Sequence, residues 1–251
     1  HTLKLGGEYK YHTMRYFRFW SPTNLAKRTT DTELELYRLA DVDFYGYDIY
    51  GKEVNDGSYL DDVVRNDAGQ PVSGYQKQAP THPITMSAYL QDKIEFEDLV
   101  LNLGIRYDLI NPNDWQFRDP EATFDNLGAY VDGTGMFGGD RQFDAEDVVD
   151  SDSYSFISPR VGVSFPVSET TIFHAQFGKF YQKPNLQDLF LSPFYMDAFV
   201  NRGGYFTILN NPNLRPEKTT SYEIGFKRAL STNTSLQLTA FYKETEDLIQ
   251  V

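Results

Sequence analysis

Seven polar side chains, Lys93, Arg106, Arg160, His174, Gln176, Glu223 and Lys227, recur on one parity of runs whose other parity is mostly apolar. Residues two apart share one face of an extended strand. These seven are therefore expected on one face of a sheet, with Lys4, Glu8, Lys10, Gln91, Glu95, Asn102 and Asp108 beside them. A face that mixes ammonium, guanidinium, carboxylate and amide groups binds a ligand or a packed partner through ion pairs and hydrogen bonds. Arg160 is expected to meet acids of whatever lies against it. The alternative is a charged wall satisfied by water.

A second cluster, Asp144, Glu146, Asp147, Asp150 and Asp152, gathers carboxylates in one short stretch. Carboxylate oxygens are Ca²⁺ ligands, so these are weak candidates for a structural Ca²⁺ site. Their spacing lacks the central glycine of a full calcium loop, and a solvated acidic loop is the favoured reading. No other cofactor is expected. His12, His82 and His174 stand apart, without metal-ligand spacing. The run GTGMFGG, Gly133 to Gly139, lacks the Lys-Ser/Thr ending and the strand–loop–helix context of a phosphate loop. No Ser-His-Asp set can be assembled, and no enzyme activity is expected.

Long strands must position the polar face. Thr2–Tyr11 alternates Leu3, Leu5, Tyr9 and Tyr11 with Lys4, Glu8 and Lys10. Ile84–Phe96 and Leu99–Ile110 form a hairpin about a turn at Glu97-Asp98. Phe156–Tyr181 forms another, with Ile157, Pro159, Val161, Val163 and Phe165 on the apolar face and a turn at Val167–Thr170. Lys218–Leu230 and Thr234–Lys243 form the last, turning at Ser231–Asn233. Strands of ten to thirteen residues exceed the usual mode of about 5 to 6. Such lengths suit a tilted crossing of a hydrocarbon layer.

The chain has 251 residues, no cysteine, 16% aromatics and a net charge of −13. An acidic chain without a basic stripe argues against nucleic acid as a partner. No run approaches the 18 or more apolar residues of a membrane-spanning helix. A membrane barrel remains compatible, since its strands give a much weaker hydropathy signal. The sequence opens within a strand pattern, so the chain is expected to be an internal portion of a longer protein.

Connections alternate in length. The long ones, about 13–83, 111–153 and 182–217, all fall at one end of the sheet, and the tight turns fall at the other. Outer-membrane barrels pair short periplasmic turns with long extracellular loops. The first long connection carries strand character at Glu33–Leu39 and Val42–Tyr50, suggesting a small sheet of its own. Aromatics near the loop ends (Tyr16, Phe17, Phe19 and Trp20; Phe190, Phe194, Tyr195 and Phe199) are expected in an interfacial girdle or a loop core rather than against ligand. The fold class is therefore all-β: an antiparallel transmembrane β-barrel, with about seven long strands of a larger barrel. Backbone edges are not tolerated in lipid, so further strands must come from outside these residues.

Three segments carry a family resemblance: SAYLQDKIEFEDLVLNLGIRYD, Ser87 to Asp108; ISPRVGVSFPVSETTIFHAQFGKFYQKPNLQDLF, Ile157 to Phe190; and, between Asn211 and Ile249, NPNLRPEKTTSYEIGFKRAL followed by LQLTAFYKETEDLI. In these segments the chain resembles TonB-dependent outer-membrane receptors, in particular those with a carboxypeptidase-regulatory-like domain ahead of the plug. The resemblance implies a 22-stranded barrel with a plugged lumen. It implies outer-membrane lipid, a plug domain, TonB and a surface lipoprotein or secretion protein as partners. The implied function is TonB-coupled import of a scarce nutrient captured at the loops. Lys93, Arg106, Arg160, His174, Gln176, Glu223 and Lys227 would then face the lumen or the plug. No TonB box or plug is recognisable in this sequence. A passive porin or structural barrel, and a soluble β-sandwich that binds glycans, are the alternatives.

Overall fold

A computed structural model describes residues 1–19, 42–67, 71–73, 77–118, 143, 145–202 and 210–248. Seven long strands form its frame: β1 (Thr2–Tyr11), β2 (Ile84–Phe96), β3 (Leu99–Asn111), β4 (Tyr154–Ser168), β5 (Thr171–Gln182), β6 (Glu217–Ser231) and β7 (Thr234–Glu246). Each pairs antiparallel with the next, giving one seven-stranded meander in sequence order. The alternation places every strand, and β4 begins two residues before the predicted Phe156.

The pairing register tilts the strands. Val100, one residue past the start of β3, stands opposite Ser164, four residues before the end of β4. Thr171, which starts β5, stands opposite Arg228, three residues before the end of β6. Each tight turn is thus displaced by three residues from the preceding one. Three residues are roughly 10 Å along a strand, against roughly 9.6 Å for two strand spacings. The tilt is about 45°, as in membrane barrels.

The apolar parity forms the outer face, and among the described residues no second layer packs against it. Leu5 is 79% and Leu238 71% exposed, and Leu103, Ile105, Val161, Ile224 and Leu236 are exposed as well. Their cross-strand neighbours are apolar too. Phe173 lies 5.2 Å from Phe165 and 5.1 Å from Phe226, and Phe177 lies 5.2 Å from Tyr222. A contiguous apolar surface across seven strands suits lipid and not water. Asp92 interrupts this face, and His1 lies against it with Nδ1 2.9 Å from Oδ2.

Apolar burial is concentrated instead at the end that carries the long connections. Segments of all three fold together there into a cap. Tyr16–Phe19 pairs with Val42–Tyr45, Tyr47–Asp48 with Lys77–Gln78, and Trp115–Phe117 with Val148–Asp150. A single-turn helix, Tyr59–Asp62, is N-capped by the Ser58 side chain. The longer helix α1 (Pro193–Arg202) follows from the third connection. The core joins Val42, Phe44 and Tyr59 of the first connection to Trp115, Phe117 and Phe143 of the second. Leu191, Phe194 and Met196 of the third complete it. The strand character expected at Val42–Tyr50 is present as Val42–Tyr45 and Tyr47–Asp48, which belong to two separate two-stranded sheets. Glu33–Leu39 and the run Gly133 to Gly139 lie outside the described residues.

The sequence NNPN at Asn210–Asn213 ties the last connection to this cap. Asn210 Nδ2 donates to the carbonyls of Gln187 and Phe190, both at 2.6 Å. Asn213 accepts from the Phe117 amide at 3.2 Å, and its own backbone amide is held by Asn211 Oδ1. Asparagine suits such junctions because its short amide bonds backbone groups without needing a strand.

Candidate functional site

The polar parity of the seven strands forms a concave wall enclosing a trough of about 1120 Å³. Arg106, Arg160, His174, Gln176 and Glu223 line it together. Lys93 and Lys227 share their parity but lie nearer the tight turns and do not line it: Lys93 stands opposite Asn102, and Lys227 opposite Ile172. The charges are partly paired within the wall. Arg106 holds Asp108 bidentately, with Nε and Nη2 contacts of 2.8 to 3.0 Å. Lys93 meets Glu95 at 2.5 Å, and His174 Nε2 lies 3.6 Å from Glu223.

Glycines let large side chains lie flat against this wall. A Cβ at Gly225 would stand 2.6 Å from the His174 ring and 2.7 Å from the Leu238 carbonyl oxygen. At Gly6 it would stand 2.4 Å from the Tyr89 ring. Gly225→Ala is expected to destabilise the wall by about 1–3 kcal/mol, because the ring or the backbone must move. Thermal unfolding of the protein in detergent measures this. An unchanged midpoint would mean that His174 has room to spare.

Some aromatics escape a reading based on apolar and polar parity. Phe180 and Phe241 sit on the polar face: Phe180 lines the trough, and Phe241 stands opposite Glu223. Each approaches a cation. The Arg160 guanidinium lies 4.7 Å from the Phe180 centroid, and Lys243 Nζ lies 5.7 Å from that of Phe241. The usable signal is an aromatic on the polar parity of a strand.

The cap above the wall holds two buried carboxylates in like surroundings. Asp43 accepts from Tyr16 Oη at 2.9 Å and from Arg18 Nη2 at 2.6 Å. Asp197 accepts from Tyr59 Oη and the Phe143 amide and pairs with Arg65 Nη2 at 2.8 Å. Burial raises both carboxyls above the usual range, and the arginine and tyrosine contacts oppose that rise. Burial also pushes the Tyr16 and Tyr45 phenols up. No sequence signal marks these sets, since Tyr59 and Asp197 are 138 residues apart.

A third polar cluster marks the base of the cap. Tyr45 Oη donates to the Leu191 carbonyl at 2.9 Å and accepts from Trp115 Nε1 at 2.8 Å. Asp114 adjoins it, with the Trp115 amide on its Oδ1 at 2.9 Å. Asp114 keeps part of its surface in solvent, yet its carboxyl is enclosed by Tyr45, Thr81 and Trp115, and burial raises its pKa to about 7.

Among the described residues, the acidic stretch does not converge on one point. Asp144 lies outside the described residues. Asp150 sits opposite Trp115 at the end of a short strand, Asp152 accepts from Gln116 Nε2 at 3.1 Å, Asp147 is buried and Glu146 is exposed. Among the described residues, no three His, Cys, Asp or Glu side chains are grouped to hold a metal ion. Phe190, Phe194 and Tyr195 are buried in the cap, and Tyr16 and Phe17 pack against its core. Phe19 is more exposed. Trp20 and the Phe199 side chain lie outside the described residues.

The family model for TonB-dependent receptor-like β-barrels matches residues 1–251. No curated protein matches the sequence. Among solved structures, the FrpB iron transporter of Neisseria meningitidis is 16% identical, over 98% of this chain and 27% of its own, with a TM-score of 0.44. The hemophore receptor HasR of Serratia marcescens, in complex with its hemophore and heme, is 13% identical. That match covers 66% of this chain and 26% of HasR, with a TM-score of 0.41. The chain thus spans about a quarter of the length of these structures.

Proposed function

Because the chain belongs to the TonB-dependent receptor β-barrel family, a family of the bacterial outer membrane, we propose that it forms part of a receptor that binds a scarce nutrient and imports it by TonB-coupled transport. The long connections are its extracellular loops, about 13–83, 111–153 and 182–217, and the tight turns face the periplasm. The observation that carries this reading is the division of one tilted sheet into an outward apolar face and a concave polar wall, under a cap built from all three loops. The cap supplies a folded surface for ligand capture or for a surface lipoprotein. The wall supplies a hydrated path beside the plug, which the family implies together with an interaction with TonB. The role is transport rather than catalysis.

The iron named for FrpB and the heme named for HasR make metal chelates one ligand class to test, beside peptides and glycans. Uptake of labelled members of each class by cells expressing the full-length receptor tests the reading. One class is expected to accumulate, and accumulation is expected to stop when TonB is deleted or the proton gradient is collapsed. Accumulation that persists without either would instead make the protein a passive porin.

A further inference from the structure

The wall contains one cation that the fold prepares and that no carboxylate of the described residues neutralises. Arg160 stands between Gly104 on β3 and Gly178 on β5, both without side chains. Its guanidinium lies 4.7 Å from the Phe180 centroid. Phe180 reaches that position because position 178 is empty: a Cβ there would stand 2.8 Å from the Phe180 ring and 3.7 Å from Arg160 Cγ. A guanidinium stacked on a ring is held in place while its in-plane N–H groups stay available, and those groups match carboxylate and phosphate oxygens bidentately. The donors Asn102, Gln176 and Ser221 line the same trough.

The row through Arg160 extends the pattern. It runs across all seven strands from Lys4 on β1 to Lys243 on β7 and contains no acidic residue. Because the strands tilt, the row is oblique to the barrel axis. Lys243 lies three residues from the capped end of β7, whereas Gln91, opposite Lys4, lies five from the turn end of β2. The three cations are each three strands apart, roughly 14 Å. Cations set along a slope give a moving anion successive stations, which a static partner matched at one level would not need.

We propose that Arg160, held over Phe180 where Gly178 leaves room for that ring, is an oxyanion subsite that takes a carboxylate or phosphate group of the imported ligand. This rests on the uptake reading above and adds the charge class of the ligand to it.

Calorimetric titration of the full-length receptor in detergent, with inorganic phosphate, citrate and neutral glucose as probes, tests the subsite without any energy source. Phosphate and citrate are expected to bind and glucose is not. Arg160→Gln is expected to weaken anion binding by at least about tenfold, the loss of one charge-assisted contact. Phe180→Leu and Gly178→Ala are expected to weaken it severalfold, with Arg160→Lys falling between, while circular dichroism shows the sheet intact. Equal anion affinity in the wild type and Arg160→Gln overturns the proposal. So does an absence of anion binding by the wild type. If Arg160→Gln then lowers the melting temperature, Arg160 pairs with a carboxylate of the plug instead. Failure of energy-coupled uptake is a separate result and leaves the titration readable.

Discussion

Arg65→Ala is expected to loosen the cap by about 3–5 kcal/mol, because it removes the guanidinium paired with the buried Asp197. The Tyr59 hydroxyl and the Phe143 amide also donate to Asp197, and neither carries a full positive charge. Arg65 also donates to the Phe143 carbonyl at 2.8 Å, so the second connection loses an anchor as well. The wall should be unaffected, since its pairing does not involve these residues. Hydrogen exchange then shows faster labelling of 42–67, 145–150 and 189–197 with unchanged protection in β2 to β6. Cap protection equal to that of the wild type would mean that Asp197 is neutral without Arg65. The double variant Arg65→Met with Asp197→Leu should recover much of the loss, as buried ion pairs replaced by apolar groups often do.

Asp114→Asn should stabilise the cap at pH 8 and change little near pH 4. The sign follows from the folded pKa of about 7, above the roughly 3.9 of an unfolded aspartate. Between those values the folded cap binds more protons than the unfolded one, so wild-type stability falls as pH rises through this window. At pH 8 the full cost applies, up to about 4 kcal/mol for roughly three pKa units. Asparagine does not ionise. Its Oδ1 can accept from the Trp115 amide, and its Nδ2 can donate to Tyr45 Oη, whose own proton is committed to Leu191. Protease resistance of the cap, followed from pH 4 to 8, distinguishes the two proteins. Parallel pH profiles would place the Asp114 carboxyl in water.

The division between an apolar and a polar face was legible because a strand repeats every two residues. Leu3, Leu5 and Leu103 could be assigned to one face and Lys4, Arg106 and Arg160 to the other without knowing the pairing. Turn position and strand length followed from the same periodicity, and with them the end at which the loops gather. Phe180 and Phe241 were missed because hydropathy sorts side chains by polarity, and a lumenal aromatic is placed by what it stacks on. That all three connections share one core was missed for a different reason. That core joins Phe44, Trp115 and Phe194, which share no local period, and the Arg65–Asp197 ion pair joins partners from separate connections.

By itself, then, the sequence determined the wall: the strands, the parity of their faces, and the five polar residues Arg106, Arg160, His174, Gln176 and Glu223 that share a trough. It did so because strand geometry is local. Tertiary structure alone decided that three long connections fold as one body, that Asp43 and Asp197 are buried beside arginines, and that Arg160 lies over Phe180 between two glycines. Those contacts depend on which strands become neighbours and in what register, and a chain specifies register only by packing all of its parts at once.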